Sequence, residues 1–311
     1  MKAMKRKRSL IALLLLVMAS AGVAQFGRRS RYSDGPIYET EGGQLVDERT
    51  VKTAREIASH STDTPVWKNP PGFEKDVFTF CRIIRDRDRN GSPSAGSWIT
   101  DFPDSDLNLS FRLQQMTSIK VDPNGRVLRL TDKDLFRYPF IYMVEPGALL
   151  LRDEEVPILR HYLENGGFLM ADDFWGELQW ECFAEQIKRV FPNREFVELP
   201  MEHPIFHSVF DLNVPKNKLQ IPNERLGAMS RYTGVTWERH MQRDGSMEEC
   251  TEMHVRALSD DKGRIMILAT HNTDNGDGWE REGEDDYFFH EFSEKRAFPL
   301  GINIIFYVMT H

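Results

Sequence analysis

Asp172 and Asp173 stand side by side where an apolar run, 168–171, stops. Neighbouring carboxylates at the end of a buried strand could bind a cation or act as acid and base. The competing use is structural: one aspartate caps the next helix and the other is solvated. A second polar concentration follows the apolar run 265–269. It reads His271, Asn272, Thr273, Asp274, Asn275, Gly276, Asp277, Gly278, Trp279, Glu280. These oxygens, amides and one indole could form a cation site, or a polyol surface with Trp279 as its platform. The same residues also make a plain polar turn held by Asn and Asp side chains. Glu145 ends a third apolar run, 140–144. The candidate ligand-binding residues are therefore Glu145, Asp172, Asp173, His271, Asn272, Asp274 and Trp279. Crowded carboxylates call for a raised pKa, a basic partner or a bound cation. His271 and Arg85 are the expected basic partners.

Other chemistries fit less well. Cys182 lies beside Glu181 and near Glu185, and Cys250 among Glu248, Glu249 and Glu252. Nearby carboxylates disfavour a thiolate, the reverse of what a nucleophile needs. Cys81 falls inside an expected strand. Three cysteines at wide spacing suggest neither a disulfide framework nor a thiolate metal site. Gly91-Ser92-Pro93-Ser94-Ala95-Gly96 does not meet the G-x-S-x-G pattern of a serine elbow. Asp86-x-Asp88-x-Asn90-Gly91 opens like a calcium loop but has Ser97 at the position of the bidentate glutamate. His203 and His207 would suit a metal only on a helix, and Pro204 argues against one.

The stretch 138–176 must position the acids. Its apolar run 140–144 lacks alternation, the mark of a strand buried on both faces. Ile158, Leu159, Tyr162 and Leu163 follow at helical spacing, and Asn165-Gly166-Gly167 ends the helix. The run 168–171 is the second strand. Strand–helix–strand implies parallel strands with a right-handed crossover. Run 265–269 is expected beside them, so all three polar ends should share the carboxyl edge, where ligands sit in open parallel sheets. Strands are also expected at 77–84, 119–121, 127–130 and 195–199. Helices are expected at 107–116, 178–190 and 299–310, the last needing a hydrogen-bond partner for Asn303. Residues 215–262, punctuated by Pro and Gly, read as an irregular β insertion. The segment 25–72 reads as a polar tether with a short helix over 47–60.

The chain has 311 residues, 28% of them charged, and a net charge of −8, which does not favour nucleic acid as a partner. Residues 1–24 carry Lys2, Lys5, Arg6, Lys7 and Arg8, an apolar core over 10–17 and small residues before Gln25, the pattern of an export signal. The expected location is periplasmic or secreted, with membrane contact only if that segment stays uncleaved.

Trp98 with TDFPDSDLN, then YPFIYMVEP, GGFLMADDFWG, Glu202-His203-Pro204-Ile205-Phe206, HNTDNGDGWE and PLGINIIFYVMTH occur in this order. Together, over 75–311, they resemble bacterial domain of unknown function 4159. The resemblance implies a flavodoxin-like fold related to class I glutamine amidotransferases: three layers, a mostly parallel open sheet. It implies no chemistry. Amidotransferase catalysis needs a cysteine on the turn after a strand, and Asp172-Asp173 occupies that turn. The expected function is a non-catalytic module binding a small molecule or an envelope protein, with no cofactor beyond a divalent cation. The alternative is a metal-assisted hydrolase acting on envelope saccharide or peptide.

Overall fold

The computed structural model describes residues 36–73, 76–88, 91–92 and 94–311. The export signal expected over 1–24 lies outside them. The central sheet has seven strands: β1 (Cys81–Ile84), β2 (Arg126–Arg129), β3 (Phe140–Val144), β4 (Phe168–Phe174), β5 (Val197–Glu198), β6 (His254–Ser259) and β7 (Ile265–His271). Their spatial order is β2-β1-β3-β4-β7-β6-β5. The first five in that order are parallel, and β6 runs antiparallel to both β7 and β5. The three apolar runs thus form adjacent parallel strands, as expected.

Helices cover both faces because side chains of a strand alternate between them. Phe140, Tyr142, Phe168 and Met170 point to one face. They pack under α1 (Asp104–Met116) and α6 (Phe298–Thr310) through Leu109, Leu113, Leu300 and Ile302. Ile141, Met143, Leu169 and Ala171 point to the other. There they meet α2 (Glu155–Glu164) and α3 (Gly176–Val190) through Leu159, Leu163, Phe183 and Ile187. Asn303, buried in α6, accepts from the backbone N–H groups of Val209 and Phe210 and donates to the Phe210 carbonyl. Among the described residues no helix is long and apolar enough to cross a membrane.

Several expectations need correction. Residues 47–60 form no α-helix. Asp47 ends the second strand of a hairpin, Ile37–Glu39 with Leu45–Asp47, and one 3₁₀ turn follows at Ala54–Glu56. Val46, Val51, Ala54 and Ile57 are buried against Trp98, Phe102 and Val127, so 36–73 packs on the domain rather than tethering it. The stretch 215–262 is not wholly β: Asn223 caps α4 (Glu224–Thr233), and only then does the hairpin Arg239–Met241/Met247–Glu249 follow. Val121 makes a single bridge to Phe78 rather than a strand.

A further correction bears on the site. Strand β4 does not stop at Asp172 but runs on to Phe174. Pairing with β7 skips one residue: Thr270 faces Asp172 and His271 faces Phe174. Asp173 is the extra residue of this bulge and takes φ 56°. A bulge re-aims the side chain it carries. Neither aspartate caps α3, whose N-cap is Trp175 without a side-chain bond.

Candidate functional site

The carboxyl edge of the sheet holds a cavity of about 200 Å³. Glu145 reaches it from the end of β3 and Asp173 from the β4 bulge. Asp274 and Asp277 enter from the turn into α5 (Asn275–Glu280), and Asp101 from the loop after β1. Glu238 and His240 come from the segment after α4, Glu41 from the N-terminal hairpin and Arg281 from the end of α5. Seven carboxylates therefore line one small space.

The backbone is bent to deliver them. Five described non-glycine residues have positive φ: Asp63, Asp101, Glu145, Asp173 and Asn272. Four of the five stand at this edge, and three line the cavity. Such conformations persist where surrounding structure over-determines them, and they gather at functional sites. The Glu145 backbone N–H donates to the Asp172 carbonyl at 2.8 Å. Its side chain accepts from Thr100 Oγ1 at 2.6 Å. A Cβ on Gly96 would stand 1.4 Å from Glu145 Oε2, so only glycine lets that carboxylate lie there.

Asp101 is held indirectly by Arg82, which is fully buried in β1. The guanidinium pairs with Asp106 at 2.5 Å and donates to the carbonyls of Trp98 and Thr100 at 2.9 and 2.8 Å. That clamp fixes the loop on either side of the residue that lines the cavity.

Burial in a crowd of like charges sets the electrostatics. Burial pushes Asp101 well above the usual carboxylate range, and Glu280 and Asp277 add to it. Asp274 rises for the same reason, with Asp173 and Asp277 adding. Asp173 rises through burial and Glu145. Burial lifts Glu145 to about 7, against the Thr100 hydrogen bond and the Arg85 charge. Glu238 is the exception. Burial would raise it, but hydrogen bonds from His240 and Asn223 hold it below the usual value. One flank is ion-paired: His60 lies 2.9 Å from Asp104 and 3.0 Å from Glu280, and Arg281 lies 2.8 Å from Glu280. Hydrogen bonds to Asp104 and Glu280 lift His60 to about 10.

The structure brings together three of the residues proposed from sequence, Glu145, Asp173 and Asp274, and places four elsewhere. Asp172 lies beneath the cavity, bonded by Thr270 at 2.5 Å, Asn275 at 2.7 Å and Tyr142 at 3.2 Å. His271 is not a basic partner for these acids. Its Nε2 bonds the Gly176 carbonyl, its Nδ1 faces Arg256, and burial lowers it to about 3, so it is neutral. Asn272 ties segments together, accepting from Gly176 N and donating to the Glu252 carbonyl. Trp279 is no platform; it is fully buried against Phe80 and Tyr142, with its N–H on the Ala297 carbonyl. Arg85, the other expected partner, bonds the Val144 and Glu145 carbonyls. The basic groups in the cavity wall are His240 and Arg281.

Residues 86–309 match the family model of a domain of unknown function, DUF4159. The chain belongs to that family. No curated protein matches it. The family segment carries nearly the whole cavity, but Glu41 and His60 lie before it, so in this DUF4159 member the N-terminal hairpin region completes one wall.

Sequence reasoning missed Asp101, Glu238, His240 and Trp175. Asp101 sits in the motif TDFPDSD, whose density of acids was its one signal. Glu238 and His240 lie in a segment read as an irregular excursion, and nothing local marks them. Ser94 stands in no serine elbow, yet its hydroxyl lies 3.4 Å from His240 Nδ1. The cysteines stay out of the site. All three are free, and burial raises each thiol, Cys250 to about 12.

Proposed function

We propose that this chain is an exported, non-catalytic binding module that holds a small cationic ligand, a metal ion or an amine, at the carboxyl edge of its sheet. The observation that carries the reading is the cavity itself, where, among the described residues, seven carboxylates face only Arg281 and His240. Such a wall concentrates cations and repels anions. The strand order 2-1-3-4 supports a flavodoxin-like topology, and its reversal between β1 and β3 supports a ligand crevice beside Asp101 and Glu145. Export rests on the basic and apolar pattern of residues 1–24. Thermal melting of chelator-treated protein tests the binding reading, with MgCl2, CaCl2, MnCl2 and spermidine as probes. At least one should raise Tm in a concentration-dependent way, by linkage. The rise should shrink in Asp173→Asn. Superimposed melts with all four probes would remove the reading.

One observation favours a second reading, a hydrolase that works through a serine rather than through the metal expected from sequence. His240 Nε2 bonds Glu238 Oε2 at 3.0 Å, and Gln179 Nε2 lies 3.3 Å from His240 Nδ1 and 3.2 Å from Ser94 Oγ. With Nε2–H donated to Glu238, the Nδ1 lone pair faces the Ser94 hydroxyl, the order of nucleophile, base and orienting acid. Ser94 would add to an acyl carbon and pass its proton to His240, which would hand it to the alcohol or amine that departs as the acyl bond breaks. Water would then release the acid and restore the serine. A fluorophosphonate probe that labels wild type but not Ser94→Ala would replace the binding reading with this one. Absence of label leaves binding alone.

A further inference from the structure

The cavity floor gives the cationic ligand a more definite identity, which rests on the binding reading above. Asp101, Asp274 and Asp277 each offer a carboxylate oxygen, and these oxygens lie within 4.8 Å of one another. All three residues are buried, none more than 6% exposed. Two of them are oriented by backbone. Asp274 Oδ1 accepts from Asp277 N at 2.7 Å, and Asp277 Oδ2 accepts from Glu224 N at 2.6 Å. Second-layer hydrogen bonds of this kind aim carboxylates at a metal.

Asp101 is different. Its Oδ2 is buried and has no hydrogen-bond partner. A buried carboxylate oxygen without a partner carries its full desolvation penalty. A Cβ on Gly276 would stand 1.9 Å from this same atom. Gly276 is therefore what allows Asp101 to reach the turn that carries Asp274 and Asp277. Arg281 does not neutralise the trio. It lies 3.3 Å from Asp277 but also pairs with Glu280 and Glu41.

We infer that Asp101, Asp274 and Asp277 form a binding site for one hard divalent cation of the Mg²⁺, Ca²⁺ or Mn²⁺ class. An all-oxygen, all-carboxylate donor set selects such ions over softer ones. The cavity above the three aspartates leaves room for water or ligand oxygens to complete the coordination. The neighbouring group Glu41, His60 and Glu280 does not compete, because His60 and Arg281 already supply its positive charge.

Isothermal titration of the full, chelator-treated chain with MgCl2, CaCl2 and MnCl2 tests this. One ion per chain should bind for at least one salt. Asp101→Asn and Asp274→Asn should each weaken binding at least tenfold with the far-UV spectrum unchanged. Gly276→Ala removes no ligand but displaces Asp101, and should weaken binding as well. If a variant does not fold, Mn²⁺ added to wild type decides: NMR signals of Asp101, Asp274 and Asp277 must broaden first. Broadening centred elsewhere, or unaltered affinity in a folded Asp101→Asn, overturns the inference. If spermidine raises Tm but no metal binds, the metal site falls and the cationic pocket stands. If neither binds, both fall.

Discussion

Asp172→Asn should stabilise this protein at neutral pH and do almost nothing in mild acid. Asp172 is fully buried, and burial raises it from 3.8 to about 6 against three hydrogen bonds. The folded state therefore holds a proton that the unfolded state has already released. That preference costs stability as pH rises from about 4, and the cost is complete a little above 6. Two pKa units at about 1.4 kcal/mol each put it at about 3 kcal/mol. Asparagine fits the same bonds. Its oxygen can accept from Thr270 and Asn275, as Asp172 Oδ1 does, and its amide can donate to the Tyr142 hydroxyl that now donates to Oδ2. The difference between variant and wild type should be small at pH 4, grow through pH 5–6 and level off near about 3 kcal/mol at pH 8. At roughly 2 °C per kcal/mol, the plateau is a Tm gain of about 6 °C. Urea denaturation of both proteins in chelator, from pH 4 to 8, measures it, and other titrating groups cancel in the difference. A variant less stable than wild type at pH 8 would refute the argument, since it would mean the ionised carboxylate is held better than the amide.

Arg82→Met should destabilise by about 3–5 kcal/mol, because it strands the buried Asp106 and frees two carbonyls of the Asp101 loop. A cost under about 1 kcal/mol by urea denaturation would show that the clamp is dispensable. His60, raised to about 10 by Asp104 and Glu280, contributes stability that is fully present below about pH 6.5 and is lost as pH climbs through about 10. The stability gap between wild type and His60→Gln should therefore narrow from pH 7 to 10.5; a gap that stays constant would contradict the ion pairing. Replacing Cys81, Cys182 and Cys250 together by Ala should cost stability, about 1 kcal/mol at buried Cys81, yet leave cation affinity within twofold by titration. Loss of binding in the folded variant would bring the thiols into the site.

The layered core and one side of the site are legible in the residues alone. Runs 140–144, 168–171 and 265–269 are apolar without alternation, and only a strand covered on both faces uses such a run. Parallel strands then force their ends to one edge, which is why Glu145, Asp173 and Asp274 meet as their positions imply. What lay beyond the strands needed the tertiary structure. Asp172 and Asp173 are indistinguishable in sequence, but a one-residue bulge sends the second into the cavity and leaves the first bonded to Tyr142 below. Trp279 sits in a polar stretch, yet the helical turn Asn275–Glu280 rotates it into the core. Asp101 meets Asp274 and Asp277 only because β1 and β7 belong to one sheet and Arg82 holds the loop between. Periodicity reports which face of an element is buried. It carries nothing about which distant loop will fold over that element's end, and the second half of this site is made of such loops.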